Sequence, residues 1–217
     1  MSNSDKCLKI CERFVSLQGE STQAGRICYF IRLSGCNLSC VYCDTRYAET
    51  GETMSLDAIM TEVRRAGVKL VEITGGEPLM QKATPTLAGM LLNEGFEVML
   101  ETNGACDITV MPDGVRRIVD CKLPGSGMWE YNLWSNFDHL TRLDEVKFVV
   151  SSKSDFECAL KVIKDYSLDG KCEVLYSPVF GKVEFADLAK WVIDSRAPGR
   201  MQLQMHKLIW GCDATGV

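Results

Sequence analysis

The sequence predicts an α/β domain of parallel strands joined by crossover connections, and three observations carry that prediction. Six short apolar runs have the β-branched and aromatic character of buried strands. Segments with helical spacing of apolar residues fall between most of them. The chain has 217 residues, 46% hydrophobic and 24% charged, enough to bury one substantial core and within the range of a single domain. One domain is therefore expected over 1–217.

In order, ICYFIRL (27–33) opens the series as a nearly continuous apolar strand. SLDAIMTEVRRAG then supplies Ser55 as an N-cap, Leu56, Ile59, Met60 and Val63 at helical spacing, and Gly67 as a stop. KLVEIT (69–74) and FEVMLET (96–102) are the second and third strands, with a helix predicted between them over 84–94. NGACDITVMPDGV places Pro and Gly where the next crossover helix would stand, so that crossover is expected to be trimmed. RRIVDCK (116–122), DEVKFVV (144–150) and CEVLYS (172–177) complete the six strands, with helices over 154–166 and 184–195. MQLQMH (201–206) is a candidate seventh strand. Repeats, low-complexity tracts and an interdomain linker are not evident.

Composition excludes some classes of function. A formal charge of −5 argues against a sequence-independent grip on nucleic acid, which needs a basic surface; a small-molecule partner fits better. No run of eighteen uninterrupted apolar residues occurs and MSNSDKCLKI is polar, so neither a membrane span nor a signal segment is expected and the reading is cytoplasmic. Eleven cysteines in a reducing compartment favour metal or catalytic use of clustered thiols over disulfides. Isolated Cys28, Cys106, Cys121, Cys158 and Cys172 read as small core residues, and Trp129, Trp134 and Trp191 as packing.

In parallel α/β folds chemistry gathers at the carboxyl ends of the strands. Here the first four strands run into GCNLSCVYCDT, TGGEP (74–78), ETNG (101–104) and DCKLPGSG (120–127). Those loops share one mouth. The first places Cys36, Cys40 and Cys43 within eight positions. Structural zinc normally takes four protein ligands, and a fourth is not obvious, although Cys7 and Cys11 could pair with Cys40 and Cys43. A metal-free cysteine-rich turn is the other plain reading, since these spacings also suit one helix face; Gly35 and Asn37 favour a loop. A four-iron cluster held by three cysteines differs from both, because it leaves one iron open to a cofactor or substrate.

The CX3CX2C spacing, with Tyr42 before the last cysteine and GGEP after the next strand, resembles the radical S-adenosylmethionine superfamily. The flanks FVSLQGESTQAGRICYFIRLSGCNLSCVYCDT, DCKLPGSGM and QMHKLIWG narrow the resemblance to the 7-carboxy-7-deazaguanine synthase family, over Phe14 to Val217. It implies a trimmed partial (β/α)6 barrel of the radical SAM type, with an N-terminal extension and a C-terminal strand and tail. It further implies a [4Fe-4S] cluster on Cys36, Cys40 and Cys43, whose electron cleaves S-adenosylmethionine to a 5′-deoxyadenosyl radical. The implied reaction contracts 6-carboxy-5,6,7,8-tetrahydropterin to 7-carboxy-7-deazaguanine with loss of ammonia, on the route to queuosine.

The same resemblance assigns residues. Leu17, Gln18, Gly19, Glu20, Arg32, Thr74, His206 and Val217 match substrate contacts, with Arg32 on the pterin carboxylate. Taken alone, Arg32 could equally form a structural ion pair, and His206 could be a core histidine. Tyr42, Gly76, Glu77, Asp120, Cys121, Lys122 and the Ser177, Pro178, Val179, Phe180 segment match cofactor contacts, although the last departs from the SPK of some relatives. Thr45 matches a magnesium ligand, with Asp44 orienting a water or both residues merely capping a turn. An electron donor such as flavodoxin and a homodimer are implied as well. Two rival readings are an activating enzyme that makes a glycyl radical on a protein, which leaves LQGE, Arg32 and HKLIW unexplained, and a non-catalytic metal module, which leaves TGGEP unexplained.

Overall fold

The computed structural model describes residues 6–212 and 214–217. Its strands are β1 (Cys7–Leu17), β2 (Ile27–Leu33), β3 (Glu52–Ser55), β4 (Leu70–Gly75), β5 (Glu97–Thr102), β6 (Arg116–Asp120), β7 (Glu145–Val150), β8 (Glu173–Pro178) and β9 (Arg200–Met201). Its helices are α1 (Leu56–Ala66), α2 (Thr84–Asn93), α3 (Lys153–Tyr166), α4 (Phe185–Ser195) and α5 (Met205–Trp210). The sheet order is β3-β1-β2-β4-β5-β6-β7-β8-β9. Every pairing from β2 to β9 is parallel, while β1 runs antiparallel to both β2 and β3. The result is a partial barrel of six main parallel strands whose ends do not pair. An antiparallel N-terminal extension flanks one side and a short strand and tail flank the other.

Local chemistry explains the elements. Ser55 caps α1 by accepting from the Ala58 amide at 3.2 Å, and Gly67 ends it at a positive φ of 67°. The β5 to β6 crossover is trimmed as its Pro and Gly predict, to a 3-10 turn over Ile108–Val110 capped by Asp107. The seventh strand is present but shorter than MQLQMH and shifted toward its start, as β9 over Arg200–Met201. After Gln202 donates its amide to Tyr176, the side chains of Gln202 and Gln204 both turn to Glu20, the backbone leaves the sheet, and His206 falls in α5. β1 was not foreseen, because CLKICERFVSL has no continuous apolar run. Its register depends on pairing with β2 across an irregularity between Ile10 and Glu12.

Strand alternation sorts the side chains. Outward residues of β2, β4 and β5, including Ile31, Ile73 and Leu100, pack under α1 and α2. Those of β6, β7 and β8, including Val119, Phe148 and Tyr176, pack against Phe156 of α3 and Leu188 of α4, with Trp129, Trp134 and Trp191 at the edge. Inward residues close the floor of the barrel: Phe30, Leu70, Met99 and Ile118, with Phe14 stacked on Phe30 at 5.1 Å. Cys28, Cys121 and Cys172 are buried as expected, whereas Cys106 and Cys158 are half-buried. No helix of the described residues is long and apolar enough to cross a membrane.

Candidate active site

Above that floor the inward faces turn polar and enclose a cavity of about 1090 Å³. The loop after β2 carries Cys36, Cys40 and Cys43 into its wall, Cys40 buried and the other two exposed. Backbone bonds pin this loop at both ends: Gly35 donates to Ala48 and accepts from Glu77, and Val41 donates to Ser126. The Tyr42 hydroxyl anchors it further by donating to the Val149 carbonyl at 3.1 Å. Two groups donate toward the Cys36 sulfur, the Leu38 amide at 3.4 Å and the Asn103 side chain at 3.7 Å.

Gly75 and Gly76 owe their identity to this same loop. A Cβ on Gly76 would lie 2.1 Å from the Gly35 carbonyl oxygen and 3.0 Å from the Cys36 Cβ, and one on Gly75 would lie 2.2 Å from the Leu33 carbonyl oxygen. Only glycine lets the TGGEP turn seat against the cysteine loop. Glu77 is fully buried and accepts from the Asn103 and Leu79 amides and the Thr102 hydroxyl. Its side chain braces two loops and does not line the cavity. Burial raises its carboxyl while those bonds pull it back.

Alternation sorts the next segment. Asp120 and Lys122 line the cavity and pair at 2.7 Å, whereas the Cys121 thiol between them points into the core under α3. Likewise Val179 and Phe180 line the cavity, while Ser177 and Pro178 are buried and do not. Cys121 and Pro178 thus turn their side chains to the outer face of the sheet, whereas Ser177, paired with Val149, is on the inner face but buried and outside the cavity lining.

The expected substrate residues converge on the cavity: Leu17, Gln18, Gly19, Glu20, Arg32 and Thr74 from the strands and the loop after β1, and His206 and Val217 from the C-terminal segment. A Cβ on Gly19 would come 2.6 Å from His206 Nδ1, so that glycine is what lets α5 approach. Burial lowers the His206 imidazole and favours its neutral form. Arg32 does make an ion pair, Nε to Glu12 at 2.6 Å, but it lines the cavity as well. Thr45 also lines the cavity; it bonds Asp44 at 3.1 Å and makes no side-chain cap, so the turn-capping reading does not hold for it. Asp44 is bound by Lys207 of α5 at 2.6 Å, and against the upward push of burial this ammonium holds its carboxylate down at about 2.

Sequence reasoning missed the charged row beneath these groups. Glu72, Glu101 and Lys147 line the cavity from β4, β5 and β7. Lys147 binds Glu101 and, at 3.1 Å, Glu20; Glu101 also accepts from Thr74 at 3.2 Å. Glu72 accepts from the Gln18 amide and has no cation partner among the described residues. Burial, and then the Glu101 charge, push its carboxyl up to about 8. Lys147 holds Glu101 below the ordinary carboxylate value against burial, and burial alone would depress Lys147 but its two carboxylates lift it well above. The signal was present, since each residue interrupts an otherwise apolar strand.

The cysteine loop suits a cluster. Three thiolates at one strand end, each free to take a different iron, satisfy a four-iron cube with one iron left open. Among the described residues no three His, Cys, Asp or Glu side chains converge on a single point as one ion would require. Nearby, Asp120 Oδ1 is buried without a partner among the described residues, a built acceptor for a ligand's donor.

Fold and site together define a radical S-adenosylmethionine protein, and the Radical SAM superfamily model matches residues 30–167. A 7-carboxy-7-deazaguanine synthase from Chlorobaculum tepidum is 44% identical over 214 residues, covering 97% of each chain. That of Koribacter versatilis is 39% identical over 226 residues, covering 97% of this chain and 100% of its own. The crystal structure of QueE from Escherichia coli superposes with a TM-score of 0.78 at 24% identity, over 92% of this chain and 95% of that one, and supports the fold. The chain belongs to the 7-carboxy-7-deazaguanine synthase family, whose cofactors are a [4Fe-4S] cluster and S-adenosylmethionine.

Proposed function

We propose that the chain converts 6-carboxy-5,6,7,8-tetrahydropterin to 7-carboxy-7-deazaguanine with release of ammonia, as a cytoplasmic homodimer feeding queuosine or related deazapurine synthesis. The observation that carries this reading is one cavity with the three-cysteine loop on its rim and a polar wall of Gln18, Glu20, Arg32 and Thr74 facing it. An enzyme that only transferred a radical to a protein would have no use for that wall.

In this reading Cys36, Cys40 and Cys43 hold the cluster. When bound, cluster and S-adenosylmethionine supply a hydrogen-abstracting radical that protein side chains cannot generate. Tyr42, Gly76, Asp120, Lys122, Val179 and Phe180 line the space for S-adenosylmethionine, the paired Asp120 and Lys122 presenting both signs of charge. Arg32 binds the pterin carboxylate; Gln18, Gly19, Glu20, Thr74 and His206 frame the ring; Leu17 and Val217 close its apolar edges. Thr45 offers magnesium one oxygen, with water and substrate completing the shell. A small acidic electron carrier of the flavodoxin type supplies the reductant. The chain functions as one domain over 1–217.

The test is anaerobic reconstitution with iron and sulfide, followed by dithionite, S-adenosylmethionine and the carboxypterin. The expected products are the deazapurine and equimolar ammonia. Cleavage of S-adenosylmethionine with the pterin returned intact would overturn the substrate assignment and revive the activating-enzyme reading.

A further inference from the structure

Arg32 does not stand alone on its strand. Glu12 lies directly opposite it in the antiparallel pairing of β1 with β2, and Glu12 Oε1 accepts from two donors, Arg32 Nε at 2.6 Å and the Tyr47 hydroxyl at 2.8 Å. Glu12 does not line the cavity, whereas Arg32 and Tyr47 do. Both members of the ion pair are largely covered, with 18% and 20% of their side chains exposed.

A guanidinium has two forks, one formed by Nε with a terminal nitrogen and one formed by the two terminal nitrogens. Glu12 engages the Nε side. The terminal nitrogens of Arg32 make no hydrogen bond among the described residues, which leaves the end-on fork for a ligand. Tyr47 sits in the turn Arg46–Glu49, just past the cysteine loop, and that turn returns the Ala48 carbonyl to the Gly35 amide at the loop's start. The same three side chains therefore connect the cluster loop to the arginine.

We propose that Glu12, held in place by Tyr47, is a positioning residue that sets the rotation of Arg32 so that its end-on fork faces a substrate carboxylate, making it part of what selects a carboxylated pterin. This rests on the reading of Arg32 as the carboxylate partner. Without Glu12 the arginine keeps its charge but not its aim, and a point charge attracts a carboxylate less selectively than an oriented fork.

The experiment is anaerobic titration calorimetry on cluster-loaded protein with S-adenosylmethionine and no reductant, using 6-carboxytetrahydropterin and, as the probe lacking the carboxylate, tetrahydropterin. Arg32→Ala should weaken the carboxylated ligand by at least about 30-fold and leave tetrahydropterin unchanged. Glu12→Ala should weaken the carboxylated ligand about 10-fold with tetrahydropterin unchanged, and Glu12→Gln should recover most of the loss, because an amide oxygen can accept from both donors. In turnover, Glu12→Ala should raise KM with kcat nearly kept. If Arg32→Ala behaves as expected but Glu12→Ala binds the carboxylated ligand like wild type, the positioning role fails while the Arg32 reading stands. If Arg32→Ala itself binds normally, both fail. Equal weakening of both ligands in Glu12→Ala would make the residue merely structural and overturn the proposal. Should Glu12→Ala not load a cluster, Tyr47→Phe decides: about 5-fold selective weakening, the scale of one hydrogen bond, supports the clamp, and no change overturns it.

Discussion

At the scale of single residues, the two ionisable groups most open to test are Arg32 and Glu72. Removing the partner of a buried carboxylate typically costs about 2–5 kcal/mol. Arg32→Ala should therefore lose turnover by that amount while keeping its cluster, and Arg32→Lys should recover little, since one ammonium cannot form two parallel bonds. Steady-state kinetics alongside iron analysis checks this; loss of the cluster in Arg32→Ala would reassign the residue to structure. Glu72 makes a prediction about stability. Its folded value of about 8 lies above the ordinary carboxyl value, so the folded chain holds a proton that the unfolded chain releases. Stability from this group is complete at acidic pH and is lost as pH rises through about 8. Glu72→Gln removes that dependence. Calorimetry of the cluster-free protein should show a smaller fall in Tm between about pH 6 and 9 in the variant than in wild type, and parallel curves would show that Glu72 is not the group titrating. Glu72 was legible in KLVEIT only as a charge out of place, because its network with Gln18, Glu101 and Lys147 spans four elements that no local pattern connects.

At the scale of elements, the cysteine loop and the TGGEP turn form one unit. Gly76→Ala places a methyl group against the Gly35 carbonyl, an overpacking that typically costs about 1–3 kcal/mol. The backbone that must yield is the one presenting Cys36. Urea unfolding of the cluster-free protein should show the destabilisation, and reconstitution should show reduced iron per chain; a variant that loads iron normally would refute the seating argument. Changing Cys36, Cys40 or Cys43 to Ala should abolish the four-iron cluster, checked by iron analysis and Mössbauer spectra. Most elements here were readable in advance. β2 matches its apolar run at 27–33 to the residue, and Ser55 and Gly67 bound α1 as their capping chemistry requires. The failures share a cause. β1 is defined by partners in β2 and β3 rather than by its own pattern, and the strand in MQLQMH ends at Met201 because the glutamines after it are drawn to Glu20. Around the cofactor segments, the side chains of Glu77, Cys121, Ser177 and Pro178 do not line the cavity, although their neighbours do. Side-chain direction within each segment is set by strand parity and loop bracing, which a motif match does not report.

At the scale of the whole molecule, the inward face changes character along the barrel axis. It is apolar at the floor, where Phe14 and Phe30 stack, and ionisable above, where Glu20, Glu72, Glu101 and Lys147 line the cavity. The open edge is flanked by the antiparallel β1 and β3 on one side and by α5 on the other, and α5 is tied to the cysteine loop through Lys207 and Asp44. A small polar bicyclic substrate fits such a chamber, between a radical source at the rim and an oriented arginine at the side. The most direct measurement of this account is single-vessel product analysis: reconstituted protein, dithionite, S-adenosylmethionine in small amount and excess 6-carboxytetrahydropterin, followed by mass spectrometry and ammonia assay. Because the family resemblance implies that the abstracted hydrogen is returned and S-adenosylmethionine is rebuilt each turnover, the account predicts many equivalents of 7-carboxy-7-deazaguanine and ammonia per S-adenosylmethionine, with little 5′-deoxyadenosine accumulating. Release of 5′-deoxyadenosine with the carboxypterin unchanged would contradict it.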